Sequence, residues 1–172
     1  MVEQENGAEK KQDVSQKRRD IRLTLVQDVL REAFNRATSL GKLMVDPMDV
    51  LIFLTNDPEV VAQLISVGVN LEELDGEVKK WDDGTPQGPS SAEMVRSFGD
   101  AIDLGNRRSM MLDWSIAKAL EIADTEGCFD VTPLHLLAGI VSGPSTGATV
   151  FRNLDLTGEQ LAILSRTRKK SA

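Results

Sequence analysis

The sequence has few of the side chains that enzymes and secreted proteins commonly rely on. Its 172 residues include one cysteine, Cys128, one histidine, His135, and no tyrosine. A single cysteine excludes an internal disulfide and favours a reducing compartment. One imidazole and one thiol fall short of the three or four protein ligands of a zinc site, and a nucleophile–histidine pair would have to use His135. We therefore predict a chain that is not an enzyme, has no catalytic, metal or cofactor site, keeps His135 in a structural role and buries Cys128.

Long hydrophobic runs are also absent. No segment approaches the roughly 18 uncharged apolar residues of a membrane span, and the N-terminus has no apolar signal-peptide core. Residues 1–20 instead carry five acids and five bases. Such a charge-dense stretch cannot bury enough apolar surface to fold alone, so we predict a disordered segment there. These features indicate a cytoplasmic protein with no membrane partner.

The charge is unevenly distributed along the chain. The net charge is -7, although the tail 166–172 is basic. The rest of the chain is therefore strongly acidic and should repel phosphate backbones, so nucleic acid is not expected as a partner. An alternative remains open, in which Arg107, Arg108 and the basic tail make a nucleic-acid-binding helical bundle.

Helical periodicity is the dominant pattern in the sequence. Strand-forming aromatic residues are scarce, with five Phe and two Trp. Between Leu23 and Leu40, apolar residues recur every three or four positions, as on one face of a helix. Thr24 with Gln27 has the spacing of a capping box, and Gly41 supplies a stop. An all-α fold follows from this pattern.

Further helices are marked by their capping residues. Asp46 and Asp57 each precede a proline, which is typical of a helix start, and Asn70 precedes another apolar helical pattern. Residues 82–91 are then dense in Gly, Pro, Ser and Asp, which disfavours any regular element. We predict a linker over 82–100 between two helical halves.

The two halves resemble each other at an offset of 86 residues. Identical residues fall on each other at two alanines, a glycine, a valine and a proline of each half. In the first half these are Ala33, Ala37, Gly41, Val45 and Pro47, and in the second Ala119, Ala123, Gly127, Val131 and Pro133. Because each identity has a structural reason, we predict an internal duplication with repeats over 21–81 and 101–165.

The repeated strings resemble the N-terminal domain of Clp/Hsp100 unfoldases, known as the Clp repeat domain. The first copy reads AFNRATSLGKLMVDPMDVLIFL and then VVAQLISVGVNLEEL; the second reads IAKALEIADTEGCFDVTPLHLLAGI. The resemblance covers about residues 22–165. It implies two tandem pseudo-twofold repeats of four helices, packed into one compact eight-helix domain.

The resemblance also implies a function in protein recognition. Such domains sit on Clp-type AAA+ ATPases and receive substrates, tags or adaptors, with no chemistry of their own. The sequence contains no GxxxxGK[ST] phosphate loop, so we expect a stand-alone protein-binding module, with a monomer favoured. An alternative is a helical ligand-binding regulator or small enzyme that has reused the repeat.

Some relatives bind phosphorylated arginine through a carboxylate at the start of the second helix of each repeat. The resemblance places Met48 and Leu134 at those positions, and neither can pair with a guanidinium. The accompanying hydroxyl corresponds to Ser109 in the second copy, while the first has Leu23 with Thr24 beside it. No ligand-binding residue is therefore carried over.

Methionine is a second candidate for recognition, because its flexible thioether suits adaptable peptide-binding surfaces. We expect a ligand, if any, in the groove between the repeats, near the helix start that carries Met48. The other methionines of interest are Met44, Met94, Met110 and Met111.

Overall fold

The computed structural model describes residues 18, 20–81 and 107–166. These residues form a short 3-10 helix, Thr24–Val26, and eight α-helices. We number the helices α1 (Gln27–Ser39), α2 (Pro47–Leu54), α3 (Pro58–Ser66), α4 (Leu71–Trp81), α5 (Met110–Thr125), α6 (Pro133–Val141), α7 (Thr146–Arg152) and α8 (Gly158–Leu164). Within the described ranges there is no strand, only a single β-bridge between Val45 and Arg108. The all-α prediction is confirmed.

Helices α1–α4 and α5–α8 are two copies of one four-helix unit. The four alanines that match at the offset of 86 are fully buried on α1 and α5. Gly41 and Gly127 both have φ of +72°, a left-handed conformation that glycine adopts without strain, and each follows the first helix of its unit. Pro47 and Pro133 both occupy the first turn of the second helix. The predicted duplication is thus visible in the backbone.

The second helix of each unit begins with the same capping arrangement. The Asp46 carboxylate accepts from the amides of Met48 and Asp49, while the Asp49 side chain accepts from the Asp46 amide. In α6, Thr132 and His135 make the equivalent pair of bonds. Both boxes satisfy amide hydrogens that a helix start would otherwise leave unpaired.

The capping box predicted at Thr24 and Gln27 is wrong. Helix α1 begins at Gln27 with no side-chain cap, after the 3-10 turn. The Thr24 hydroxyl instead donates to the Ile21 carbonyl at 2.7 Å. This turn is held from outside, because the neighbouring Arg22 bonds to the second unit, and a local capping signal could not reveal that restraint.

The two central helices, α2 and α6, carry the core. They pack against each other, and α6 also packs along α5. Both central helices are apolar on nearly every face, as expected for helices enclosed by others. One continuous hydrophobic cluster extends through both units, and its fully enclosed large side chains include Leu51, Leu54, Leu136, Leu137, Ile140 and Phe151.

Several predictions fall on parts of the chain that are not described. They are the linker 82–100, nearly all of the segment 1–20, and the tail beyond Arg166. The repeat boundaries 21–81 and 101–165 likewise stay predictions, since residues 101–106 lie in the same gap.

Candidate functional site

The two units are joined by a pair of backbone crossings. At the first crossing, Val45 donates its amide to the Arg107 carbonyl at 2.7 Å and accepts from the Ser109 amide at 2.8 Å. At the second, the Val131 amide donates to the Arg22 carbonyl at 2.8 Å. In both cases the segment before the first helix of one unit lies against the loop between the first two helices of the other. The units are therefore interlocked rather than merely adjacent.

Arg107 anchors the first crossing. Its Nε donates to the Leu43 carbonyl at 2.9 Å and its Nη1 to the Thr38 hydroxyl at 2.8 Å, and Nη2 donates to the Lys42 carbonyl. The guanidinium carbon also lies 4.7 Å from the centroid of the Phe34 ring. Burial lowers the pKa of Arg107, and the carbonyls of the loop after α1 compensate by accepting from the cation.

Arg22 anchors the second crossing in the same way. Its Nε donates to the Phe129 carbonyl at 2.7 Å, and its Nη2 to the Cys128 carbonyl at 3.4 Å and to the Asp124 carboxylate at 2.6 Å. These three acceptors lie 86 positions after the three acceptors of Arg107. This pair of arginines was not predicted from the sequence. The signal was available, since Arg22 falls on Arg107 at an offset of 85, one residue out of register with the rest of the repeat.

Large apolar side chains are exposed beside both crossings. We call Leu43, Met44, Met110 and Trp114 the first crossing surface. Met110 and Trp114 are four positions apart on α5 and so share a face of that helix. The group Ile21, Leu25 and Phe129 is the second crossing surface. Leu43 and Phe129, which correspond at the offset of 86, are 55% and 66% exposed.

The positions expected from phosphoarginine-binding relatives do not form a polar pocket. Met48 is only 4% exposed, because it lies in the first turn of the enclosed helix α2. Its side chain therefore cannot line a groove between the repeats, while the expectation of a ligand in that groove stays a prediction. Leu134 is half-buried against the core. The Ser109 hydroxyl accepts from the Leu112 amide at 3.1 Å and so caps α5.

The methionines divide between core and surface. Met44 and Met110 are exposed at the first crossing surface, Met111 is half-buried, and Met94 lies outside the described residues. Adaptable thioethers are thus presented beside a crossing and not at the predicted groove.

A buried carboxylate lies beneath the first crossing. Asp49 is completely enclosed, and its Oδ1 is 3.0 Å from Arg36 Nη1 and 2.9 Å from Lys42 Nζ. Burial raises the pKa of Asp49, with the charge of Asp46 adding to the effect, while the hydrogen bond from Lys42 acts in the opposite direction. This cluster ties α1 and its terminal loop to the start of α2.

His135 and Cys128 have different surroundings. His135 is buried and completes the cap of α6, as its predicted structural role requires. Cys128, however, is exposed, so the prediction of a buried cysteine is wrong. The left-handed turn at Gly127 ends α5, and the Cys128 amide then donates back to Ala123, which leaves the side chain in the surface loop.

The arginines of the nucleic-acid alternative are not displayed to solvent. Arg107 is buried, and the Arg108 side chain is 9% exposed with its Nε 3.4 Å from Asp113. Neither guanidinium is available to a phosphate backbone, so the structure gives that alternative no support.

None of the described helices is long and apolar enough to cross a bilayer alone. Helices α6 and α7 meet the length and composition criteria only when taken together, and they are bent by 82° relative to each other.

The arrangement of two interlocked four-helix units is similar in fold to two solved structures. The N-terminal domain of the caseinolytic-protease-associated chaperone ClpD from Arabidopsis thaliana is similar, with a TM-score of 0.53 and 18% identity over 84% of this chain and 90% of that one. A structure from preliminary investigations of a malarial protein secretion system matches with a TM-score of 0.65 and 21% identity, over 83% and 90% of the two chains. No family model and no curated protein matches the sequence. The predicted resemblance to the Clp N-terminal domain is thus confirmed at the level of the fold.

Proposed function

We propose that this chain is a non-catalytic protein-binding module of the Clp N-domain type. It recognises a degradation substrate, an adaptor or a Clp ATPase, and thereby modulates chaperone–protease activity. The supporting observation is the presence of two exposed apolar surfaces at equivalent places in a Clp N-domain fold. Scattered single apolar residues need no explanation, but groups that recur at the same junction in both repeats do.

The chemistry of the surfaces suggests the kind of segment they bind. The first crossing surface offers two methionines and a tryptophan, and the second offers phenylalanine and aliphatic side chains. Such groups bury apolar side chains of a partner without requiring a fixed hydrogen-bond pattern. Exposed acids adjoin both places, with Asp113 on α5 and Asp124 near its end. Because each of these acids is already paired with an arginine, the surfaces best suit an apolar segment without a fixed charge.

The proposal includes no cofactor and no catalytic residue. A monomer in the cytoplasm is the simplest setting for it, because the two surfaces are related within one chain and do not need a second copy. The partner can then be engaged at one crossing or at both, and engagement at both would strengthen binding by raising the effective concentration of the second contact.

A capture experiment tests the proposal. Purified wild-type protein and the double variant Leu43→Ser, Phe129→Ser are used as baits in host lysate, followed by degradation assays with any recovered Clp components. We expect Clp ATPase subunits, their adaptors or their substrates to be enriched by the wild type. The double variant should lose at least tenfold of that enrichment, because both crossing surfaces are made polar.

Ile65→Ser is the matched control. Ile65 is 58% exposed, like Leu43 and Phe129, but it lies on α3 and not beside a crossing. It should leave capture unchanged, and circular dichroism should show that all baits are equally helical. Equal capture by the double variant and the wild type, or no enrichment of any chaperone–protease component, would refute the proposal.

A further inference from the structure

We propose a divalent metal site, suited to Zn²⁺, formed in the second repeat by Glu126, Cys128 and His135. This inference is independent of the proposed binding function. One ligand atom from each residue, namely a carboxylate oxygen, Sγ and an imidazole nitrogen, lies within 4.8 Å of the other two. The sequence predicts no metal site because only the lone histidine and cysteine were counted. The fold adds Glu126 as the third ligand.

The geometry of the cluster fits a tetrahedral zinc ion. Zinc bonds of about 2.0–2.3 Å place neighbouring ligand atoms roughly 3.3–3.8 Å apart. Glu126 Oε2 is already 3.2 Å from His135 Nε2. The Cys128 side chain is exposed, which leaves room for its Sγ to approach the other two ligand atoms by rotation. Thiolate, imidazole and carboxylate together favour Zn²⁺ over Mg²⁺ or Ca²⁺, which prefer oxygen ligands alone.

Two rigid features bring the three residues together. The left-handed turn at Gly127 ends α5 and reverses the chain between Glu126 and Cys128. The capping box of α6 fixes the His135 ring, which is buried, so that Nε2 points towards Glu126. The fold therefore places the glutamate beside the imidazole, and binding requires the thiol to move and the ring to exchange its bond with the Thr132 amide for one with the Thr132 hydroxyl.

The first repeat already holds a cation at the equivalent place. Lys42 corresponds to Cys128 and Asp49 corresponds to His135 at the offset of 86. The Lys42 ammonium lies 2.9 Å from the Asp49 carboxylate, between the loop that ends α1 and the first turn of α2. In the second repeat the tethered ammonium is replaced by a thiol that can bind a cation from solution. The metal ion would join the loop to α6 as the ammonium joins the loop to α2.

Zinc binding requires one rearrangement of protons. His135 Nδ1 accepts from the Thr132 amide at 3.0 Å, so in the neutral ring Nε2 carries the proton and donates to Glu126. When Nε2 binds zinc, the neutral ring carries its proton on Nδ1, which donates to the Thr132 hydroxyl at 2.8 Å, and the Thr132 amide gives up its bond to Nδ1. The Cys128 thiol loses its proton to solvent as the zinc–sulfur bond forms. Binding therefore releases one proton per metal ion at a pH where the thiol is protonated.

The test is a calorimetric titration of the full-length, reduced chain with Zn²⁺ in the presence of excess Mg²⁺. The ligand variants are Cys128→Ala, Glu126→Gln and His135→Gln. Glutamine is chosen at position 135 because Gln160 makes the same capping bond to Thr157 at the start of α8, so α6 should remain capped. Asp130→Asn is the control, since it removes an acid from the same loop but outside the cluster.

We expect one zinc ion per chain, at least a tenfold loss of affinity in each ligand variant, and a change of less than twofold in the control. With Co²⁺ as the probe, the wild type should show a sulfur-to-cobalt charge-transfer band that Cys128→Ala abolishes. The site is refuted if Zn²⁺ does not bind, or if Cys128→Ala binds it as well as the wild type. It is also refuted if Glu126→Gln and His135→Gln both retain full affinity, because the thiol would then act alone. If His135→Gln does not fold, the Glu126→Gln titration and the cobalt spectrum decide.

Discussion

Gly139→Ala should destabilise the protein by about 3 kcal/mol or more, because α5 and α6 approach too closely there to admit a methyl group. A Cβ at Gly139 would lie 2.2 Å from the Ser115 carbonyl oxygen and 3.1 Å from the Ala119 amide nitrogen. Both neighbours are backbone atoms, so relief requires the helices to separate. Thermal unfolding should show a midpoint roughly 6–12 °C lower for a domain of this size.

Gly76→Ala is the matched control for this variant. Gly76 is also helical, on α4, but a Cβ there would meet no atom within 4 Å. The substitution should stabilise the protein by about 0.5–1 kcal/mol through helix propensity alone. A Gly139→Ala protein as stable as the wild type would show that α5 and α6 do not pack at this distance.

Asp49→Ala is expected to cost about 3–5 kcal/mol of unfolding free energy, since it leaves two cations without their buried partner. Asp49 is 0% exposed, and the side chains of Arg36 and Lys42 are each only 18% exposed. The substitution also removes the acceptor for the Asp46 amide and so opens the capping box of α2. Urea denaturation at neutral pH measures the loss.

Two further variants separate the contributions of Asp49. Asp49→Asn keeps an oxygen that can accept from the Asp46 amide. Its free energy of unfolding should therefore lie between those of Asp49→Ala and the wild type. Asp28→Ala removes a carboxylate that pairs with Arg31 at the surface and should give no measurable change. Equal stability of Asp49→Ala and the wild type would contradict the role assigned to this carboxylate.

The features that were predicted correctly from the sequence depend on residues close to one another in the chain. Each unit has a glycine that ends its first helix and a proline in the first turn of its second helix; these are Gly41, Gly127, Pro47 and Pro133. Such residues act on the local backbone, so they predict helix boundaries without knowledge of the tertiary structure. Their recurrence at one offset was enough to predict an internal duplication, and the resemblance to the Clp N-terminal domain implied four helices in each unit. The likeness to the Clp N-terminal domain followed from the same residues, and the structural comparisons confirm it as a fold.

The features that could not be predicted depend on contacts between the units. In the sequence Arg22 and Arg107 are ordinary charged residues, and only the fold shows that each bonds to the loop after the first helix of the other unit. Thr24 failed as a cap because this long-range restraint competes with the local signal. Cys128 was assigned to the core by residue type, although its loop position leaves it exposed.

The candidate site was harder still to predict, because it consists of apolar residues in unusual places. Leu43 and Phe129 lie in loops, where helical periodicity cannot predict whether a side chain is buried or exposed. The methionine pattern indicated a surface of the right chemistry, but Met48 was placed there wrongly because α2 is enclosed on almost every side. The exposure of these side chains depends on how the loop of one unit contacts the other unit, and not on the residue type.

The most direct test of the account is to map partner binding onto the isotopically labelled chain by NMR. The partner is the Clp component or substrate recovered by capture, titrated into the wild-type protein. The expected result is that the largest chemical-shift changes fall on Leu43, Met110, Leu25 and Phe129, at the two crossing surfaces. Saturable binding with its largest changes elsewhere, for example around Ile65 on α3, would contradict it.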